Sequence, residues 1–122
     1  MNTNSLETAM KEIKAIIQPH MLSKVMRALH ELPHFPGVTV TPVRGQGRGR
    51  GAGGAFKVTE DGIDYHNKVM LDVYCSETKA GEIAETILKA AHTGLEGDGL
   101  IVVADIDRVS RIRTGEVQDR AV

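Results

Sequence analysis

Apolar and polar residues change their period along this chain, and the changes mark six regular segments. "KEIKAIIQ" (Lys11–Gln18) places Ile13, Ala15 and Ile17 at alternate positions before Pro19, which predicts a strand. Leu22, Val25, Met26, Leu29 and Leu32 then recur at helical spacing until Pro33 and Pro36 forbid continuation, which predicts a helix. "VTVTPV" (Val38–Val43) is β-branched, and Pro42 cannot donate to a ladder, so this strand is expected at a sheet edge or a bulged end. "KVMLDVYC" (Lys68–Cys75) puts Val69, Leu71, Val73 and Cys75 on one face of another strand. Ala80, Ile83, Ala84, Ile87, Leu88 and Ala91 mark a second amphipathic helix, with Gly94 in the C′ role. "LIVVADI" (Leu100–Ile106) is continuously apolar, as expected of a strand buried on both sides.

The order β-α-β-β-α-β is that of the ferredoxin-like split unit, an α+β fold. Two helices cover one face of a four-stranded sheet and leave the other bare. Yet the last strand is apolar on both faces, and Ile16 and Met70 point away from the helix side of theirs. A bare apolar face asks for a partner, and a symmetric homo-oligomer is the least demanding one.

The segment "RGQGRGRGAGG" breaks every period. Six glycines and three arginines fall in these eleven positions, and no side chain larger than Ala and apolar occurs between Val43 and Phe56. Each Gly in a helix costs about 1 kcal/mol relative to Ala, so the segment reads as a long loop, from about residue 44 to 66. Loops beyond about 12–15 residues without structure of their own are functional or disordered.

Composition narrows the function classes. A chain of 122 residues with formal net charge −1 has no global field for nucleic acid or anionic lipid. The single Cys75 excludes an internal disulfide and fits a reducing cytosol. No apolar run approaches the roughly 18 residues of a membrane span, so a soluble cytoplasmic domain is expected, without membrane insertion. Residues 1–9 are polar and read as a frayed tail before a single domain over residues 10–122.

Candidate chemistry lies in the loop and in two further stretches, "HTGLEGDG" (His92–Gly99) and "RIRTGE" (Arg111–Glu116). A glycine-rich turn can present backbone N–H groups to anionic oxygens, or simply join a helix to a strand. Arg111 and Arg113 are two apart, so in an extended segment both guanidiniums project to one side, suited to forked contact with phosphate. Gly49 to Gly54 matches G-x-G-x-x-G formally, but no helix follows it, so it is no dinucleotide fingerprint. An arginine-glycine mixture without interleaved aromatics, followed by Glu60, Asp61 and Asp64, does not support RNA binding. His30 and His34 are separated by Pro33, and His20, His66 and His92 are isolated, so no metal site is expected. Cys75 ends an apolar strand face and reads as core. No catalytic constellation emerges, and the chain is not expected to be an enzyme.

On this frame, "MKEIKAIIQP", "VTVTPVRGQGR", "AAHTGLEGDG" and "RIRTGE" together resemble the PII signal-transduction family, from Met10 to the C-terminus. The resemblance implies a homotrimer that binds ATP or ADP in clefts between subunits. It also implies a T-loop, here about residues 44–66, that docks onto a regulated transporter or enzyme. Glycines let one backbone take several shapes, and ligand contacts that order it couple nucleotide to partner. By the resemblance, Gly45, Gly47 and Arg48 match the nucleotide-contacting loop base, and Thr39 a residue near the adenine. Lys68 matches a lysine that meets 2-oxoglutarate. Gly97, Asp98 and Gly99 match the phosphate turn, and Arg111 and Arg113 the arginines of the neighbouring subunit. Arg48, Arg50 and Phe56 would face the partner protein.

The departures from the family pattern are specific. Gly49 stands where a glutamine helps hold Mg²⁺ and 2-oxoglutarate, so both ligands stay open. Asp61 replaces the tyrosine that is uridylylated in many bacteria. Leu95 and Leu100 replace two lysines at the phosphate turn. The alternative reading is therefore an interaction module on the same fold that has lost nucleotide and 2-oxoglutarate sensing and serves another transporter, such as a metal-efflux system.

Overall fold

Ile13, Ala15 and Ile17 are buried side by side on β1 (Met10–Ile17), as their alternation requires. The computed structural model describes residues 8–46, 58–59, 62–63 and 65–122. Pro19 opens a single 3-10 turn, where its fixed φ is suited and its missing N–H goes unused. α1 (Leu22–His30) follows and buries Val25 and Leu29. Pro33 disfavours helical geometry at the residue before it, and the helix ends just short of that position.

β2 (Thr39–Gly45) lies at the sheet edge, with Pro42 opposite Val69, as the proline demanded. Within the loop stretch, β3 (Val58–Thr59) and β4 (Gly62–Ile63) pair as a small antiparallel ladder of their own. β5 (His66–Ser76), α2 (Glu77–Ala91) and β6 (Gly99–Ile106) complete the chain. The main sheet runs β2-β5-β1-β6 with every neighbouring pair antiparallel, the ferredoxin-like arrangement expected from the element order.

Both helices pack on one face of this sheet. Val25, Leu29, Ile83 and Ile87 meet Ile13, Leu71 and Val73 there, and each such side chain contributes about 1.5–3 kcal/mol on burial. Cys75 belongs to this core, and burial pushes its thiol up from the ordinary value, so it is a packed residue and no nucleophile. Among the described residues, the sheet's other face carries no helix. At one end of the strands the C-terminal segment packs back. Gln118 is buried there: its amide donates to the carbonyls of Thr8 and Asp107 and accepts from the Val109 N–H. Ala9, in turn, accepts from the Glu77 N–H at 2.9 Å, so residues 8 and 9 are both tied to the domain.

Three expectations need correction. Leu88 follows the helical period but is 53% exposed, because it lies beside β6 and no strand among the described residues extends the sheet beyond. β6 is an edge strand, not one enclosed on both sides: Leu100, Val102 and Val103 are 57%, 47% and 47% exposed in the single chain. Gly94 does not cap α2. The helix ends at Ala91 with His92 already extended, and the positive φ of Gly94 serves the next turn instead.

Candidate functional site

The turn between α2 and β6 is built around one carboxylate. Asp98 accepts hydrogen bonds from the Thr93 and Gly94 N–H groups, at 2.8 and 2.9 Å, and from the Thr93 hydroxyl. The Thr93 hydroxyl oxygen accepts in turn from the Leu95 N–H. These bonds, the Thr93 hydroxyl first, hold the Asp98 carboxyl below the usual range for its kind. Asp98 is therefore the clasp that shapes the turn, and Thr93, which the sequence reading did not single out, is its partner.

The glycines of this turn are needed for two different reasons. A Cβ on Gly99, whose φ is +104°, would sit 1.7 Å from the Ile16 carbonyl oxygen, an impossible approach. A Cβ on Gly97, at φ +90°, would meet the Gln18 side-chain nitrogen at 2.7 Å and the Lys68 Nζ at 3.3 Å. Lys68, half-buried on β5, donates to the Gly97 carbonyl at 2.5 Å. Gln18 and Lys68 thus line the turn from the ends of two strands. Gln18 lies in the "MKEIKAIIQP" stretch but the resemblance gives it no site role; the fold brings it to the turn.

Lys68 also borders an open groove of about 370 Å³, with Pro19, Pro42, Val43, Arg44, Asn67 and Val69. The Arg44 guanidinium stands 5.7 Å from the Tyr65 ring centre, a cation–π contact across the neck of the long loop. Gly45 closes β2 opposite His66, and a Cβ there would touch nothing within 4 Å. Thr39 opens the same strand, exposed and opposite Asp72. Gly47, Arg48, Arg50 and Phe56, as well as Gly49 and Asp61, lie outside the described residues.

Arg111 and Arg113 are placed differently from expectation. The stretch is a turn, not an extended segment: the Arg111 N–H donates to the Glu116 carbonyl at 2.8 Å, and the Gly115 N–H to the Arg111 carbonyl at 2.7 Å. The Arg111 side chain bonds the Ala121 carbonyl through Nε, at 2.8 Å. Arg113 is exposed and makes no hydrogen bond among the described residues. This turn follows the far end of β6, the end paired with Met10, whereas Gly99 pairs with Ile17. The eight residues of β6 span roughly 23 Å at about 3.3 Å per step, and the arginine turn follows the end remote from Gly99. One copy of the chain therefore does not bring the glycine turn and the arginines together. Among the described residues, no group of three or more His, Cys, Asp or Glu is placed to hold a metal, and no helix is long and apolar enough to cross a membrane.

Known proteins agree with this architecture. A family profile described as "Nitrogen regulatory protein P-II" matches residues 10–116. The nitrogen regulatory protein P-II of Azospirillum brasilense is 42% identical over 107 residues, covering 88% of this chain and 95% of that protein. The nitrogen regulatory protein GlnK of Escherichia coli K12 is 39% identical over 113 residues, covering 93% of this chain and all of that one. The crystal structure of Arabidopsis thaliana PII bound to citrate superposes with a TM-score of 0.76 at 30% identity, over 94% of each chain. These relatives are regulatory signalling proteins and not enzymes. With the four-stranded antiparallel sheet and its two helices, the match over residues 10–116 establishes that the chain belongs to the nitrogen regulatory protein P-II family.

Proposed function

We propose that this chain is a nucleotide-responsive regulator that assembles as a homotrimer, binds ATP or ADP in clefts between copies, and controls a transporter or enzyme through the loop between Gly45 and His66. One observation carries the reading: the glycine turn and the arginine turn stand at opposite ends of β6, so a site using both needs two copies. The bare face of the sheet, with exposed Leu100 and Val102, gives the copies a surface to share.

The residues fit a phosphate group. Gly97 and Gly99 let the turn close against Gln18, Lys68 and the Ile16 carbonyl, Lys68 adds a cation at its rim, and Arg113 of another copy makes no hydrogen bond among the described residues that it would have to leave. The Thr93, Gly94 and Leu95 N–H groups are already used inside the turn, so those of residues 96–98 are the ones left to meet an anion. Thr39, Gly45, Gly47, Arg48, Asp98 and Arg111 complete the set, Asp98 by shaping the turn. Lys68 is also the residue that would meet 2-oxoglutarate. In the loop, Arg48, Arg50 and Phe56 would meet the regulated protein, in a cytoplasmic setting.

Leu95 and Leu100, exposed beside the turn, favour the second reading of an interaction module without nucleotide sensing. Calorimetric titration with ATP, ADP and AMP, with and without Mg²⁺ and 2-oxoglutarate, separates the two. Saturable binding of adenine nucleotide supports the regulator. Heat changes indistinguishable from dilution for all three would leave the interaction module.

A further inference from the structure

The bare sheet face is not uniformly apolar. At its centre Asp72 on β5 sits opposite Lys14 on β1 and Thr39 on β2, and Glu12 on β1 sits opposite Tyr74 on β5. Glu12 and Asp72 are therefore diagonal neighbours across the β1–β5 pair, within the range at which long side chains on one face interact. Asp72 Oδ1 is buried and has no partner among the described residues. Lys14 Nζ stands 4.0 Å from Glu12 Oε2, so this one ammonium faces two carboxyl groups. The groups facing Asp72 are thus Glu12 and Lys14 from β1 and Tyr74 from its own strand, while β2 adds only the neutral Thr39. Next to β1, β6 sets Val102 and Ala104 against Lys14 and Glu12. Ile16 and Met70 pair on the same face.

We propose that covering this face with further copies of the chain is linked to a proton, which Glu12 and Asp72 share in the assembly, so that self-association strengthens on acidification. The inference rests on the reading that the chain self-associates through this face. Water is what keeps two neighbouring carboxylates ionised at an exposed site, and a second copy removes it. Burial already pushes Asp72 up to about 6, the Glu12 carboxyl adding to the effect, and burial with Asp72 also raises Tyr74. Covering the face moves Asp72 further in the same direction. The sign follows from linkage. A group whose titration rises on association takes up a proton, so association is strongest below the value in the free chain, near 6, and weakens as pH rises through the value in the assembly.

Sedimentation velocity of the full chain between about pH 5.5 and about pH 8, with Asp72→Asn and Glu12→Gln beside it, tests this. The wild-type dissociation constant should rise over that range, by about tenfold per carboxyl pair covered for each unit that covering raises that pair. Asp72→Asn should flatten the dependence, and Glu12→Gln should move it to lower pH by removing the competing carboxyl. Association that strengthens as pH rises would overturn the proposal, since another copy would then be supplying a cation. An Asp72→Asn profile identical to wild type would also overturn it. An assembly indifferent to pH would overturn this inference alone, whereas a monomer at every pH would overturn the assembly reading as well.

Discussion

Lys68 on β5 donates to the carbonyl of Gly97, 29 residues away, and so ties the strand that leaves the long loop to the turn that precedes β6. The bond joins the two parts that must communicate if a ligand at the turn is to change the loop. Lys68→Met keeps the aliphatic stem and removes the donor. It should speed amide exchange at Gly97 to Gly99 while costing only about 1 kcal/mol in urea unfolding, because the bond is exposed to water. Unchanged exchange at the turn would show that the lysine does not hold it.

The glycines separate structure from ligand contact. Gly99→Ala forces a Cβ against the Ile16 carbonyl at positive φ and should cost about 4 kcal/mol or more, read as loss of the cooperative thermal transition or of soluble protein. Gly45→Ala meets nothing and should stabilise by about 0.4–1 kcal/mol by restricting the unfolded chain. A fall in nucleotide affinity in Gly45→Ala, with stability intact, would then report ligand contact directly.

Asp98 sets an acid limit on the turn. Its carboxyl titrates below the ordinary 3.8, so its contribution is present above that value and is lost as pH falls through the lower one. Asp98→Asn should loosen the turn at neutral pH and remove this limb from the pH profile of amide exchange at Thr93 and Gly94. A wild-type profile that stays flat down to the unfolding transition would contradict the clasp.

The two arginines should behave differently. Arg113→Ala removes a charge-assisted contact worth about 1.5–3 kcal/mol and should weaken ADP binding by about 10–200-fold without changing unfolding. Arg111→Ala should also lower the unfolding midpoint, because its Nε holds the Ala121 carbonyl. Equal stability losses in the two variants would remove the distinction.

The core was legible in the sequence wherever one period held. Ile13, Ala15 and Ile17, like Val69, Leu71, Val73 and Cys75, alternate because each strand has one face under the helices. Leu88 and β6 were misread because hydrophobicity records burial in whatever state the chain occupies, and a single copy leaves both exposed. The glycines of the turn were legible because few other residues reach their φ. The Thr93–Asp98 clasp and the approach of Gln18 and Lys68 were not, since they depend on where a helix end and two strand ends meet in space. The Arg111 bond to Ala121 was hidden for the same reason.

The central claim is that the site joins two copies, and mixed oligomers test it most directly. Arg113→Ala and a turn-defective Asp98→Ala chain, each deficient in ADP binding alone, are unfolded together, refolded and titrated with ADP. If turn and arginine come from different copies, random mixing should restore tight binding at roughly a quarter of the sites. No restored sites in a mixture shown to exchange subunits would place both halves in one chain and contradict the account.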